Sequence, residues 1–228
     1  MLSIGHRGAA GHEPENTLRS VARAMHLGVD WIEVDVQVVD GELIVFHDDT
    51  LERTTNGSGV VAETSFSVLR ELDAGCGEKI PTLSEVLDLV DARVGLNIEL
   101  KGPDCVDKVT TTVSDYLELR PAWRDKILLS SFDETQTAEL ADRERNYKLG
   151  ILFEQDGAAA LARAKAFKAF SIHPSMKQVT PELVSDAHTA EIKVLVYTVN
   201  EPEGIAAMRA LDVDGVFSDY PERVVAPG

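Results

Sequence analysis

The side chains of this sequence that could perform catalysis lie within or directly after short apolar runs. They are two imidazoles, three carboxylates, one guanidinium and one ammonium: His6, His47, Glu33, Asp35, Glu99, Arg7 and Lys101. Such a set contains the parts needed for metal-assisted attack on a phosphate ester. The elements that carry these residues must therefore bring them to one place.

The three carboxylates lie in two runs whose alternation is typical of strands. In residues 31–37, the apolar residues fall on one face, and Glu33 and Asp35 fall on the other. The same alternation in residues 97–101 separates Glu99 from its apolar neighbours. Because the apolar faces should meet covering helices, we expect all three carboxylates to converge in a shared interior.

A divalent cation would relieve the repulsion among these carboxylates, which is costly in a partly dry site. Ligation by oxygen alone favours Mg²⁺ or Ca²⁺ over zinc, and Lys101 could contact a bound phosphate oxygen beside the ion. The alternative is a structural ion pair between Glu99 and Lys101, with Glu33 and Asp35 solvated at the rim.

The two histidines suit phosphodiester cleavage if they meet at one mouth, since one imidazole can take a proton from the nucleophile and the other can protonate the leaving alkoxide. Singly, His6 and His47 are as well explained by packing. Arg7 enters the same site if its strand ends there, which Gly8 favours. Glu15 precedes a helix start and could act at the substrate-binding site by orienting Arg7 or a metal ligand.

The elements that would position these groups alternate between strand and helix. Apolar runs predict eight strands at Ile4 and at 31–38, 94–100, 127–129, 149–153, 170–172, 194–199 and 213–217. Helix caps are predicted at Thr82 with Glu85, Asp133 with Gln136, Thr180 before Pro181, and Asn200 with Glu203. Eight such units in 228 residues predict one domain, 1–228, with the TIM (β/α)8 barrel fold.

Residues 41–81 interrupt this alternation and predict a small insertion after strand 2, on the barrel face where enzymes of this fold have their active sites.

The formal charge of −17 disfavours nucleic acid and anionic lipid as partners, so we expect a small-molecule substrate. Cys76 and Cys105 are expected as free thiols. With no leader-like or membrane-spanning segment in the sequence, we expect a cytoplasmic protein without a membrane anchor.

An ordered series of motifs runs along the whole chain: His6-Arg7-Gly8, Pro14-Glu15-Asn16-Thr17, Glu33-Val-Asp35-Val, His47-Asp48, Arg53-Thr54-Thr55-Asn56-Gly57, Pro81-Thr82-Leu83, Glu99-Leu-Lys101, Tyr197-Thr-Val-Asn200 and Ser218-Asp219-Tyr220-Pro221. This series resembles the glycerophosphodiester phosphodiesterase family.

The resemblance implies hydrolysis of glycerophosphodiesters to glycerol 3-phosphate and an alcohol, with a divalent ion. Position by position, it implies that the two histidines are the acid–base pair and that the three carboxylates ligate the metal. It also implies phosphate contacts from Arg7 and Lys101, and attack by the substrate's own glycerol hydroxyl, through a cyclic phosphate that water then opens.

Two positions bear on the substrate pocket. Tyr197 stands where the family usually has Trp, and His173 is expected near a strand end on the rim, either packed or in contact with substrate.

Two other functions fit the same fold: a phospholipase-type phosphodiesterase acting on lysophospholipids, and a non-catalytic sensor of a metal and a phosphate ligand. The absence of an amphipathic anchor disfavours the first, and the complete set of proton-transfer groups disfavours the second.

Overall fold

The computed structural model describes residues 1–144 and 146–225. The strands are β1 (Leu2–Gly5), β2 (Trp31–Val39), β3 (Glu42–Val45), β4 (Gly95–Leu100), β5 (Ile127–Ser131), β6 (Lys148–Phe153), β7 (Ser171–Pro174), β8 (Lys193–Val196) and β9 (Gly215–Ser218). The helices are α1 (Leu18–His26), α2 (Phe66–Leu69), α3 (Leu83–Val90), α4 (Cys105–Leu119), α5 (Glu134–Asp142), α6 (Gly157–Ala166), α7 (Pro181–Thr189) and α8 (Pro202–Ala210).

Eight parallel strands close into a barrel. Their order is β1-β9-β8-β7-β6-β5-β4-β2, and β1 pairs with β2 to complete the ring. The remaining strand, β3, is antiparallel to β2 and pairs Val45 with Val36. The structure thus confirms the TIM barrel with an insertion after strand 2.

The pairing of β2 with β4 determines where the carboxylates lie. Glu33 is in register with Asn97, and Asp35 is in register with Glu99, so the acidic positions are neighbours across one ladder. The alternating residues, including Ile32 and Ile98, are fully buried in the main apolar cluster of the protein. The alternation predicted from the sequence is therefore confirmed.

Three of the four predicted caps are present. Thr82 and Glu85 form a reciprocal capping box, and the side chains of Asp133 and Thr180 accept hydrogen bonds from the first turns of their helices. The fourth prediction is wrong, because α8 begins after Glu201 without a side-chain cap. The amide of Asn200 instead binds Asp219, whose carboxylate is the stronger partner.

The segment between β2 and α3 surrounds a small apolar cluster of its own: Val39, Ile44, Phe46, Leu51, Val61, Leu69, Ala74 and Ile80, with Phe66 and Leu72 packed against it. This cluster holds the segment against the barrel and brings His47 and Arg53 to the barrel mouth. Among the helices of the described residues, none is long and apolar enough to cross a bilayer.

Candidate active site

A cavity of about 260 Å³ opens at the end of the barrel where the strands finish. The residues that line it are His6, Arg7, Glu33, His47, Glu99, Lys101, Phe132, Leu152, Glu154, Tyr197, Thr198 and Phe217. Six of the residues singled out in the sequence for acid–base, metal or phosphate chemistry are therefore brought together here.

Three carboxylates form a buried cluster beside this cavity. Glu33, Asp35 and Glu99 each offer an oxygen, and these oxygens all lie within 4.8 Å of one another. The three residues are 2%, 1% and 7% exposed. The alternative in which Glu33 and Asp35 are solvated at the rim is therefore wrong, although the ion pair between Glu99 and Lys101 does form, at 2.5 Å.

The electrostatics of the cluster favour a bound cation. Burial, followed by the charge of Asp35, raises the pKa of Glu33 well above its usual range and that of Glu99 to about 7. The Oε1 atom of Glu33 is buried and has no hydrogen-bond partner within the described residues. An unpartnered carboxylate oxygen in an all-oxygen donor set fits a hard divalent cation.

Each histidine at the cavity is held by its own carboxylate. The Nδ1 atom of His6 lies 2.7 Å from Asp219, and that of His47 lies 2.6 Å from Asp48. These contacts leave the Nε2 atom of each ring without a hydrogen bond in the part of the chain that the structure describes. Burial lowers the pKa of His47, which keeps its imidazole neutral near pH 7.

Arg7 reaches the site because β1 ends before it. Its backbone lies in the left-handed region with φ 51°, which aims its N–H at Glu33 Oε2, 2.8 Å away. Its guanidinium lies 2.6 Å from Glu15 and 3.3 Å from Asp35.

Glu15 orients the arginines around it. Burial alone would raise the pKa of Glu15, but its contacts with Arg53 and Arg7 lower that pKa, so Glu15 remains an anion. With its oxygens engaged by these two residues, Glu15 lies outside the carboxylate cluster. Of its two sequence-based interpretations, the structure therefore favours the role of orienting Arg7.

Several polar residues that were not among the predicted site residues position the site. Asn16 is buried, and its amide donates to Asp35 at 2.8 Å, while Thr17 caps α1. The Gln37 amide donates to three successive backbone carbonyls around His47. Two features of the sequence could have identified them. Asn16 and Asp48 belong to the motif series, and Gln37 lies on the same face of β2 as Glu33 and Asp35.

His173 does not reach the rim. It is completely buried on β7, its ring lies 2.7 Å from Ser171 Oγ, and it packs against Phe217. Burial lowers its pKa to about 3, so it is neutral in the folded protein. It belongs to the barrel interior, so of the two expectations for His173, packing and substrate contact, the structure favours packing.

Tyr197 forms part of the cavity wall, as expected. Its hydroxyl donates to the Phe153 carbonyl at 3.0 Å, and its ring makes an edge-to-face contact with Phe132 at 5.7 Å. The ring is therefore held against the mouth of the barrel.

A TIM barrel with a buried carboxylate cluster, two carboxylate-held imidazoles and two cationic side chains at one cavity defines the class of metal-dependent phosphoester hydrolases. A family model described as the glycerophosphoryl diester phosphodiesterase family matches residues 6–223. The chain belongs to this family.

Individual relatives are similar to this chain in sequence or structure along nearly its whole length. A glycerophosphodiester phosphodiesterase of Caldanaerobacter subterraneus subsp. tengcongensis is 34% identical, with 98% of this chain and 96% of the relative covered. A glycerophosphodiester phosphodiesterase of Bacillus altitudinis is 35% identical, with 97% of this chain and 96% of the relative covered. A solved structure of an Oleispira antarctica phosphodiesterase, in complex with the product sn-glycerol-3-phosphate, has a TM-score of 0.88 and 31% identity over 97% of this chain and 94% of its own.

Proposed function

We propose that this protein hydrolyses glycerophosphodiesters to glycerol 3-phosphate and an alcohol, with a divalent cation held by Glu33, Asp35 and Glu99. One observation carries the proposal: the carboxylate cluster and the two carboxylate-held imidazoles meet at a single cavity. The product named for the Oleispira antarctica phosphodiesterase supports the choice of substrate class.

The cation, when bound, would polarise the phosphoryl oxygens and stabilise the charge that develops on them. Mg²⁺ and Ca²⁺ both suit the three carboxylates. The guanidinium of Arg7 and the ammonium of Lys101 line the same cavity and would bind the remaining phosphate oxygens.

The histidines would move the protons. Because the lowered pKa of His47 keeps its imidazole neutral near pH 7, its Nε2 would accept the proton of the substrate's glycerol hydroxyl. The oxygen of that hydroxyl would then form a bond to phosphorus. The bond from phosphorus to the alcohol then breaks, and His6 would protonate the departing oxygen while Asp219 stabilises its imidazolium. A water would open the cyclic phosphate with the two proton transfers reversed.

The barrel and its inserted segment would act as one catalytic domain. Arg53 of the insertion ion-pairs with Glu15 and with Asp48, which in turn holds His47. The cytoplasm is the proposed location, and the free state of Cys76 and Cys105 is consistent with a reducing compartment.

The test is a product assay. Purified protein is incubated with glycerophosphocholine, glycerophosphoethanolamine and a lysophospholipid, each with Mg²⁺, Ca²⁺ or a chelator, and glycerol 3-phosphate and free alcohol are measured. Metal-dependent release of both products from the first two substrates is expected. Turnover of the lysophospholipid alone would support the phospholipase-type enzyme, and no turnover under any condition would support the sensor.

A further inference from the structure

The active-site cavity is divided into a charged half and an aromatic half. Elements from β1 to β4 supply the imidazoles, carboxylates and cations described above. Elements from β5 to β9 supply the other half, which we call the aromatic half and which consists of Phe132, Leu152, Glu154, Tyr197, Thr198 and Phe217. The charged half accounts for the phosphate and the cation, so the aromatic half is left for an organic part of the substrate.

Glu154 is the one formally charged residue of the aromatic half. It is the first residue after β6, it is exposed, and within the described residues its carboxylate forms no ion pair or hydrogen bond. Its charge also helps, after burial, to raise the pKa of the Tyr197 hydroxyl, which places it close to that ring. An unpaired carboxylate at the edge of an apolar wall attracts a cation and repels an anion.

The aromatic rings beside it are suited to the same ligand. Phe132 is 38% exposed and stands edge-to-face with Tyr197, so these rings present open surface to the cavity. The Lys101 ammonium already lies 5.1 Å from the centre of the Phe132 ring. Ammonium groups bind such faces through the ring quadrupole, and quaternary ammonium ligands are recognised in this way.

We propose that Glu154, together with Phe132 and Tyr197, selects glycerophosphodiesters whose alcohol carries an ammonium group. This inference rests on the proposed function, because it assigns the alcohol that the reaction releases. A neutral polyol would gain hydrogen bonds from this wall but no charge attraction, and an anionic alcohol would be repelled.

The experiment compares kcat/KM for glycerophosphocholine and glycerophosphoethanolamine with that for glycerophosphoglycerol, whose alcohol is neutral. In Glu154→Gln, the ratio of cationic to neutral kcat/KM should fall about three- to tenfold, mainly through KM, because the substitution removes the charge attraction and leaves the aromatic rings in place. Glu154→Lys should lower the ratio further, and high salt should reduce the difference. Glu118→Gln removes the same charge from an exposed position on α4 and should keep the wild-type ratio.

A second measurement separates selection from a structural effect. Tetramethylammonium should inhibit glycerophosphoglycerol hydrolysis competitively, and Glu154→Gln and Phe132→Leu should each weaken that inhibition. An unchanged substrate ratio together with unchanged inhibition would overturn the proposal, as would an equal loss on all three substrates. If the wild type hydrolyses none of the three substrates, the proposed function fails. Calorimetry of tetramethylammonium binding then tests the ammonium site separately: binding that is weaker in Glu154→Gln than in the wild type supports the site, and equal or absent binding overturns it.

Discussion

Replacing Glu33 by Gln tests the carboxylate cluster most directly. Glu33 accepts a hydrogen bond from the Arg7 N–H, and the carbonyl oxygen of Gln can accept the same bond. The substitution therefore removes charge with little change of shape. Burial raises the pKa of Glu33 well above its usual range, so its charge is costly in the metal-free protein, and the chelated variant should melt within about 2 °C of the wild type.

The metal-dependent part of the stability should behave differently. The variant leaves two of the three carboxylates to hold the cation, and we expect the loss of one anionic ligand to weaken cation binding by roughly 100-fold, which corresponds to about 2.7 kcal/mol. A cation at about 100 times its wild-type Kd stabilises the wild type by about 2.7 kcal/mol, or roughly 5–10 °C in Tm. At that concentration the variant is about half saturated and should gain only about 1 °C.

The assay is thermal unfolding at pH 7, followed by circular dichroism, with chelator and across titrations of MgCl₂ and CaCl₂. Glu118→Gln serves as the matched control and should keep the wild-type shift, since its exposed side chain lies on α4 and outside the cluster. A full metal-dependent shift in Glu33→Gln would refute the assignment of this residue as a ligand. An equal loss of the shift in the control would show that the cation binds elsewhere.

Three further predictions concern the histidines. His6→Ala and His47→Ala should each keep the metal-dependent rise in Tm and lower kcat by roughly 10²–10⁴, the effect of a lost proton-transfer group; loss of the Tm shift would instead mark a ligand. Asp219→Asn should lower kcat by about 10–100-fold without altering the metal-dependent shift in Tm, because it removes the negative charge that stabilises the His6 imidazolium, and an unchanged kcat would contradict that role. Burial lowers the pKa of His47, so kcat/KM should rise with pH through a pKa below the ordinary value of about 6.5, and a rate profile whose acid limb lies above 7 would oppose its role as base.

The strand-borne part of the site could be predicted from the sequence because strand alternation has a fixed period of two. Glu33, Asp35 and Glu99 lie on β2 and β4, and the pairing of those strands places them as the alternation indicated. The barrel followed from repeated strand and helix patterns in the same way. Several strand ends were placed imprecisely: β8 stops at Val196 and β9 begins at Gly215 although the predicted apolar runs extend further, and β5 and β7 each continue two residues past their predicted ends.

For the loop-borne part, the candidate residues could be predicted but their contacts could not, because those contacts depend on backbone angles that no period describes. Arg7 and Asn16 both adopt positive φ, and each does so where its polar groups reach a carboxylate. His173 was misplaced for a related reason: its distance from the end of β7 decides whether it lies at the rim or in the interior. Sequence alternation gives the face of a strand but not the depth along the barrel.

The loop after β1 couples the acid–base and metal parts of the site. Within eleven residues it carries His6, the Arg7 N–H that binds Glu33, and Asn16, which binds Asp35. A buried cluster of like charges is destabilising by itself, so donors supplied by this loop must hold the carboxylates in place when no cation is bound. The strained φ of Arg7 follows from that requirement, since the residue must direct its N–H and its guanidinium to different carboxylates at once. A change at Arg7 or Asn16 that shifts the backbone of this loop should therefore disturb both proton transfer and binding of the divalent cation, whereas truncation of the His6 side chain should disturb only proton transfer and a change in the aromatic half should disturb neither.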